Sequence, residues 1–273
     1  MVTQEQRRRQ LAREKFLRQQ QRRTAARRKA NVRNSVIASV LGVIVVGSVL
    51  SYATGVFKND DSKSNASAEV TPSASPPSKA PDPCEKAAEG KVKSLSWKKE
   101  PAMTIDKSAK YELKLATTCG DIDVALKTSA APHTVNSFNF LASEGYLDHT
   151  KCHRLTTNGI YVLQCGDPKG TGMGGPGYTL PDENLKDKTL KNKIYPAGTI
   201  AMANTGQAHT GGSQFFLVYQ DSQLPPSYTP FGTISASGMK VLKKIAAAGE
   251  ATGQGDGAPN ATVVINKATV TKS

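Results

Sequence analysis

The sequence lacks the equipment of most enzymes. It holds four histidines and four cysteines in 273 residues, and no obvious nucleophile. His149, Cys152 and His153 come nearest to a zinc set. Structural zinc takes four ligands, no complementary cluster follows, and no metal is expected. Gly172-Met-Gly-Gly-Pro-Gly177 fits the spacing G-x-G-x-x-G, yet Pro181 and turn residues come next. A dinucleotide site needs a helix there, its N-terminus facing pyrophosphate. The segment reads as a loop, and no cofactor is expected. Any chemistry must come from hydrogen bonding and shape.

Negative charge is scarce at the start of the chain. Residues 1–34 carry twelve Lys and Arg against Glu5 and Glu14, a net of +10. The remaining residues hold 24 basic and 20 acidic side chains, a net of +4. Basicity is a property of the tail, and the body is not a nucleic-acid reader. Charge of either sign is missing from Asn34 through Phe57. A bilayer core of about 30 Å needs roughly 20 mostly apolar residues as helix, and residues 35–57 meet that length. The basic residues all precede them, which places 1–34 in the cytoplasm and the rest outside. The expectation is a single-pass membrane anchor, with the lipid bilayer as one partner. The competing reading is a cleaved signal peptide with Ser51-Tyr52-Ala53 as its small-x-small site, although the apolar core exceeds the usual length of about 7–15 residues.

Residues 3–33 contain no Gly or Pro. They read as a basic helix, or as a disordered tail whose charges each gain about 1 kcal/mol at an anionic lipid surface. Residues 58–83 are Ser, Ala, Pro and Lys with almost no large apolar side chain, so they form a linker that cannot bury enough surface to fold. A globular domain is expected over 84–273.

All four cysteines, Cys84, Cys119, Cys152 and Cys165, lie beyond the apolar run. An even count in an oxidising compartment reads as two disulfides, with three connectivities open. Cys152 and Cys165 sit on neighbouring strand-like runs, which favours that pair and leaves Cys84 with Cys119. Four free buried thiols are the alternative.

The domain is mainly β. Tyr111–Ala116 and Asp121–Leu126 alternate with period two, and further short runs lie at 160–163, 199–203, 215–219 and 262–265. Pro132–Glu144 and Met239–Ala248 show helical spacing with glycine stops. Many short strands with two isolated helices suggest a closed antiparallel barrel, its ends capped by the helices. Within it, Arg154 stands on one apolar run and Gln164 on the next. Met202-Ala203-Asn204 and Gly212-Ser213-Gln214-Phe215-Phe216 follow. A lone cation with amides to hold it and aromatics to wall it suggests a pocket for an uncharged polar group. Of Phe215 and Phe216, one belongs to the core, because adjacent strand residues face opposite ways.

These segments resemble the cyclophilin-type peptidyl-prolyl isomerases. The resemblance rests on His153-Arg154, Val162-Leu-Gln-Cys-Gly-Asp167, Ala201-Met-Ala-Asn204, Gly212-Ser-Gln-Phe-Phe216 and Phe231-Gly232, in order and at matching spacing, with Thr134–Phe138 as the helix motif. It covers roughly residues 110–271. It implies an eight-stranded closed barrel with two capping helices, and cofactor-free isomerisation of X–Pro bonds. Arg154 matches the catalytic arginine, and Gln164 the glutamine that orients it. Tyr161 stands where a phenylalanine usually walls the proline pocket, and Phe216 matches the second wall. Met202, Ala203 and Asn204 match the strand that substrate lies against. Gln214 matches a substrate-contacting amide, Leu224 the pocket leucine, and Tyr228 a position that is often histidine.

Three departures stand out. The turn after Arg154 is two residues longer, Cys165 replaces a usual glycine, and the only tryptophan is Trp97, far in sequence from Leu224. The expected function is isomerisation in exported or cell-envelope proteins, whose proline-containing segments are the partners. The alternatives are a non-catalytic scaffold that holds such segments at the cell surface, and a sensor domain serving the cytoplasmic tail.

Overall fold

The computed structural model describes residues 81–272. The expectations for 1–34, 35–57 and most of 58–83 fall outside these residues. Among the described residues no helix is long and apolar enough to cross a membrane.

The first two strands form as their alternation predicts. In β1 (Tyr111–Thr117) Tyr111, Leu113 and Leu115 are buried while Glu112 and Lys114 are exposed. β2 (Gly120–Leu126) turns back from it and buries Ile122, Val124 and Leu126. Helix α1 (Pro132–Ser143) places Pro at its first turn, where a missing N–H costs nothing, and buries Val135, Phe138 and Leu141. Its flanking residue, Ala131, offers no side-chain cap. The cap comes from afar: Glu183 accepts from His133 N (3.0 Å), Thr134 N (2.9 Å) and Thr134 Oγ1 (2.8 Å). Helix α2 (Ala236–Ala247) starts three residues earlier than its apolar spacing suggests, because Ser235 Oγ accepts from Gly238 N at 3.0 Å.

The remaining strands are short. They are β3 (Thr150–Lys151), β4 (Arg154–Thr156), β5 (Val162–Cys165), β6 (Ile194–Tyr195), β7 (Thr199–Met202), β8 (Phe215–Val218), β9 (Ser222–Gln223), β10 (Pro230–Ile234), β11 (Asp256–Gly257) and β12 (Val264–Lys272). Ten strands form one sheet in the order β11-β4-β5-β8-β7-β10-β2-β1-β12-β3, and β6 pairs with β9 separately. This corrects the expectation of a closed eight-stranded barrel: the ladder is open, and its edges are β11 and β3. The reason lies between β3 and β4. Cys152 N donates to Val263 O (3.0 Å), whereas His153 N donates to Gln164 O (3.0 Å). Adjacent residues thus bond to opposite ends of the sheet. The sheet curls, and its ends are joined along the chain rather than by a ladder.

The main core fills the inside of this curl. Phe138 of α1 packs on Phe215 (ring centroids 5.5 Å) and Phe231 (4.7 Å). Both expected disulfides are present, Cys84–Cys119 and Cys152–Cys165. The first fastens a strap, residues 81–110, that has neither helix nor strand and precedes β1. Within the strap, Trp97 packs against Phe140 (4.9 Å) and Tyr146 (5.7 Å), and its backbone N–H donates to Pro176 O at 2.8 Å.

Candidate active site

Strand register assembles the site. Arg154 stands opposite Gln164, Gln164 opposite Phe216, and Phe216 opposite Ala201. Directly opposed residues share a face, so β4, β5, β8 and β7 carry Arg, Gln, Phe and Ala in one row. The next row is Leu155, Leu163, Leu217 and Ile200, all buried in the main core. The first row therefore lies on the outer face of the curled sheet.

A second apolar cluster covers that outer face. Val162, Tyr195, Ala201, Phe216 and Val218 are buried, with Ile160, Leu190, Ala203, Leu224 and Tyr228 packed against them. Phe216 meets Tyr228 edge-on at 5.4 Å, and Tyr195 lies 6.3 Å from each. The Tyr195 hydroxyl donates to Tyr228 O (2.8 Å) and accepts from Tyr228 N (3.2 Å). Burial pushes its pKa up to about 12, so it stays a neutral donor. Leu224 is held through its N–H, which donates to Lys193 O at 2.9 Å.

Polar side chains border this cluster. Arg154 Nη1 donates to Gln164 Oε1 at 3.2 Å, while Nε and Nη2 donate to the two carboxylate oxygens of Asp256 at 2.7 and 2.8 Å. Asp256 raises the guanidinium pKa further, and Arg154 in turn lowers that of Asp256. Gln164 Nε2 donates to Gln214 Oε1 (2.9 Å), and Gln214 Nε2 donates to Gly174 O (2.8 Å). The amides thus form a directed relay whose acceptor end meets the arginine. Asn204 Nδ2 donates to Ser227 O and its Oδ1 accepts from Gly206 N, which fixes the turn after Ala203. Burial lowers the pKa of His153, the residue before Arg154.

The structure brings together Arg154, Gln164, Gln214, Phe216, Ala203, Leu224 and Tyr228. It separates two others. Met202 stands opposite Phe215 and its side chain belongs to the inner core. Period two gives the reason: with Phe216 and Ala201 outside, Phe215 and Met202 must be inside. Tyr161 packs edge-on against Tyr219 at 5.9 Å, and Ile160 and Val162 join the outer cluster in its stead. Three participants escape a reading of the sequence. Tyr195 and Leu190 come from a lysine-rich segment with no alternation to show which way they face. Asp256 is one acidic residue in a glycine-rich stretch, brought to Arg154 only by the pairing of β11 with β4. Among the described residues no cluster of three or more His, Cys, Asp or Glu could hold a metal ion.

A curled β domain with two helices, presenting an arginine–amide relay beside an aromatic cluster, narrows the class of protein. Residues 112–270 match the family model described as cyclophilin type peptidyl-prolyl cis-trans isomerase/CLD. The chain belongs to that family. It is 50% identical over 165 residues to the probable peptidyl-prolyl cis-trans isomerase B of Mycobacterium leprae, covering 58% of this chain and 56% of the relative. It thus spans little more than half the length of that protein. It is 40% identical over 126 residues to peptidyl-prolyl cis-trans isomerase B of Bacillus subtilis, covering 45% of this chain and 82% of the relative. A crystal structure of a Cryptosporidium parvum cyclophilin type peptidyl-prolyl cis-trans isomerase is also similar, with TM-score 0.49 and 26% identity over 60% of this chain and 99% of that one.

Proposed function

We propose that this chain is a peptidyl-prolyl cis-trans isomerase acting on X–Pro bonds of exported or cell-envelope proteins. The observation that carries the reading is the register row that sets Arg154 and Gln164 beside Phe216 on one face. Rotation about an amide bond costs about 18–20 kcal/mol, and uncatalysed X–Pro exchange takes about 10–100 s. In the twisted transition state the prolyl nitrogen turns pyramidal and regains its lone pair. A guanidinium aimed at that nitrogen binds the twisted form better than the planar one, and the difference in binding is the catalysis.

The geometry suits the task. A guanidinium carries five N–H donors in a fixed fork. Asp256 takes two and Gln164 takes one, leaving two for the substrate. The proline ring would rest on Phe216, Leu224 and Tyr228. The peptide would pair along Ala203 and Asn204 like an added strand, with Met202 contributing backbone alone. Gln214 would contact the residues flanking the proline.

Arg154→Ala tests this directly. Exchange of an Ala-Pro peptide, followed by NMR, should slow by about 10²–10³-fold relative to the native chain, with the fold intact by circular dichroism. Near-native turnover from the folded variant would remove Arg154 from the chemistry. A native chain that binds the peptide without accelerating exchange would instead be a proline-holding scaffold.

The same proposal places the domain outside a membrane, tethered by 58–83 to a single-pass anchor at 35–57 with residues 1–34 in the cytoplasm. The one-sided charge and the uncharged run support it. Protease added to intact cells should remove the domain and spare the tail; a mature chain whose mass lacks residues 1–53 would show cleavage instead.

A further inference from the structure

We propose that Asp256 is a positioning residue for Arg154, fixing which edge of the guanidinium faces the substrate. The inference rests on the isomerase reading and adds a residue that the family motifs do not contain. The contact is two-pronged: Nε and Nη2 donate to Oδ1 and Oδ2 at 2.7 and 2.8 Å. Paired hydrogen bonds to a planar fork set its tilt as well as its distance. Gln164 alone, through one bond at 3.2 Å to Nη1, would leave the guanidinium free to rotate about that bond.

Register explains how the carboxylate reaches its partner. β11 pairs Asp256 with Thr156, which lies two residues beyond Arg154 on the same face. Diagonal neighbours of this kind are within reach of long side chains. The loop that presents Asp256 is itself held fast. The Glu250 carboxylate, 7% exposed, accepts from Thr252 N (2.6 Å), Thr252 Oγ1 (2.7 Å) and Gly255 N (2.8 Å). Thr157 N donates to Gly255 O at 2.9 Å, tying the loop to the turn after β4. Gly255 has φ +91°, and a Cβ there would lie 2.5 Å from Asn158 Cβ, so only glycine fits. Asp256 therefore sits on a hydrogen-bonded support that is fastened to the turn following the strand that carries Arg154.

The plain alternative is a surface ion pair. Both side chains are substantially exposed, 37% for Arg154 and 56% for Asp256, and such pairs add little to stability. The two readings thus predict opposite patterns. A surface pair gives a small change in stability and none in turnover. A positioning residue gives the same small change in stability and a large one in turnover.

The test compares the full native chain with Asp256→Ala, Asp256→Asn, Arg154→Ala and the double variant Arg154→Ala/Asp256→Ala on an Ala-Pro peptide. We expect Asp256→Ala to lose about 10- to 100-fold in kcat/KM, carried by kcat with KM within about twofold, because the interaction acts in the transition state. Its melting temperature should fall by no more than about 4 °C. Added to Arg154→Ala, the same change should do nothing further. Should the alanine variant fail to fold, Asp256→Asn takes its place with the same expected loss, since it removes the charge and one acceptor at constant shape. Turnover within twofold of native from the folded variant, or an equal loss in the Arg154→Ala background, would overturn the proposal. An inactive native chain would overturn this and the isomerase reading together; an active native chain with an unaffected Asp256 variant would overturn this one alone.

Discussion

At the scale of single residues, the face on which a side chain lies decides its role. Phe216 and Met202 both belong to motifs that point to the substrate pocket, yet they sit on opposite sides of the same sheet. Their alanine variants should part accordingly. Phe216→Ala should raise KM for a proline peptide by about tenfold or more, the apolar contact of one large ring. Met202→Ala should leave KM within about twofold and instead cost about 2–5 kcal/mol of stability, as deletion from a filled core does. Peptide titration and thermal unfolding of both variants would separate the two effects; a KM rise in Met202→Ala without loss of stability would put its side chain back in the pocket. The arginine, both glutamines and Phe216 are legible in the sequence because their spacing and type are unusual for a surface. Tyr195 and Asp256 are not. Nothing local to either shows which way it faces, and each acquires its neighbour through a turn or a ladder that only the folded chain creates.

At the scale of elements, caps set helix starts, and one cap here is long-range. α1 has no capping side chain of its own, and Glu183 supplies acceptors to its first turn from 49 and 50 residues away. A carboxylate at a helix N-terminus also meets the positive end of its dipole. Glu183→Ala should cost about 1–2 kcal/mol, seen as a drop of several degrees in melting temperature for a domain of this size. An unchanged melting temperature would mean that water replaces the cap at no cost. Helix α1 itself is legible from its Pro, its apolar spacing and its glycine stop. The early start of α2 is explained by Ser235, which apolar spacing does not register. Strands β3, β6, β9 and β11 are two residues long, too short for any period to show, and β3 and β11 account for the main sheet's departure from an eight-stranded count.

At the scale of the whole molecule, the buried tyrosines set a limit on the alkaline side. Burial pushes the pKa values of Tyr178, Tyr195 and Tyr219 up to about 12. Each holds its proton more firmly folded than unfolded, where the value is about 10. Their contribution is therefore complete below about pH 10 and is lost as pH rises from there toward 12. Tyrosinate absorbance should show these three ionising together with unfolding above pH 10. A single smooth titration of all the tyrosines near pH 10 in folded protein would contradict this. The class of fold is legible in the alternation of β1 and β2 and in the two helices. The way the sheet closes is not, because it depends on two adjacent residues, Cys152 and His153, bonding in different directions.

The Cys84–Cys119 disulfide also has a mechanical consequence. Cys119 sits in the turn between β1 and β2, strands paired with each other and each flanked by a further strand. Tension drawn on the chain ahead of residue 84 would pass through the sulfur bridge into the middle of that sheet. The strap between Cys84 and β1 would stay out of the line of pull, and Trp97 would keep its grip on Pro176. Cutting the bridge would send the same pull along the strap toward the loop whose Gly174 anchors the amide relay.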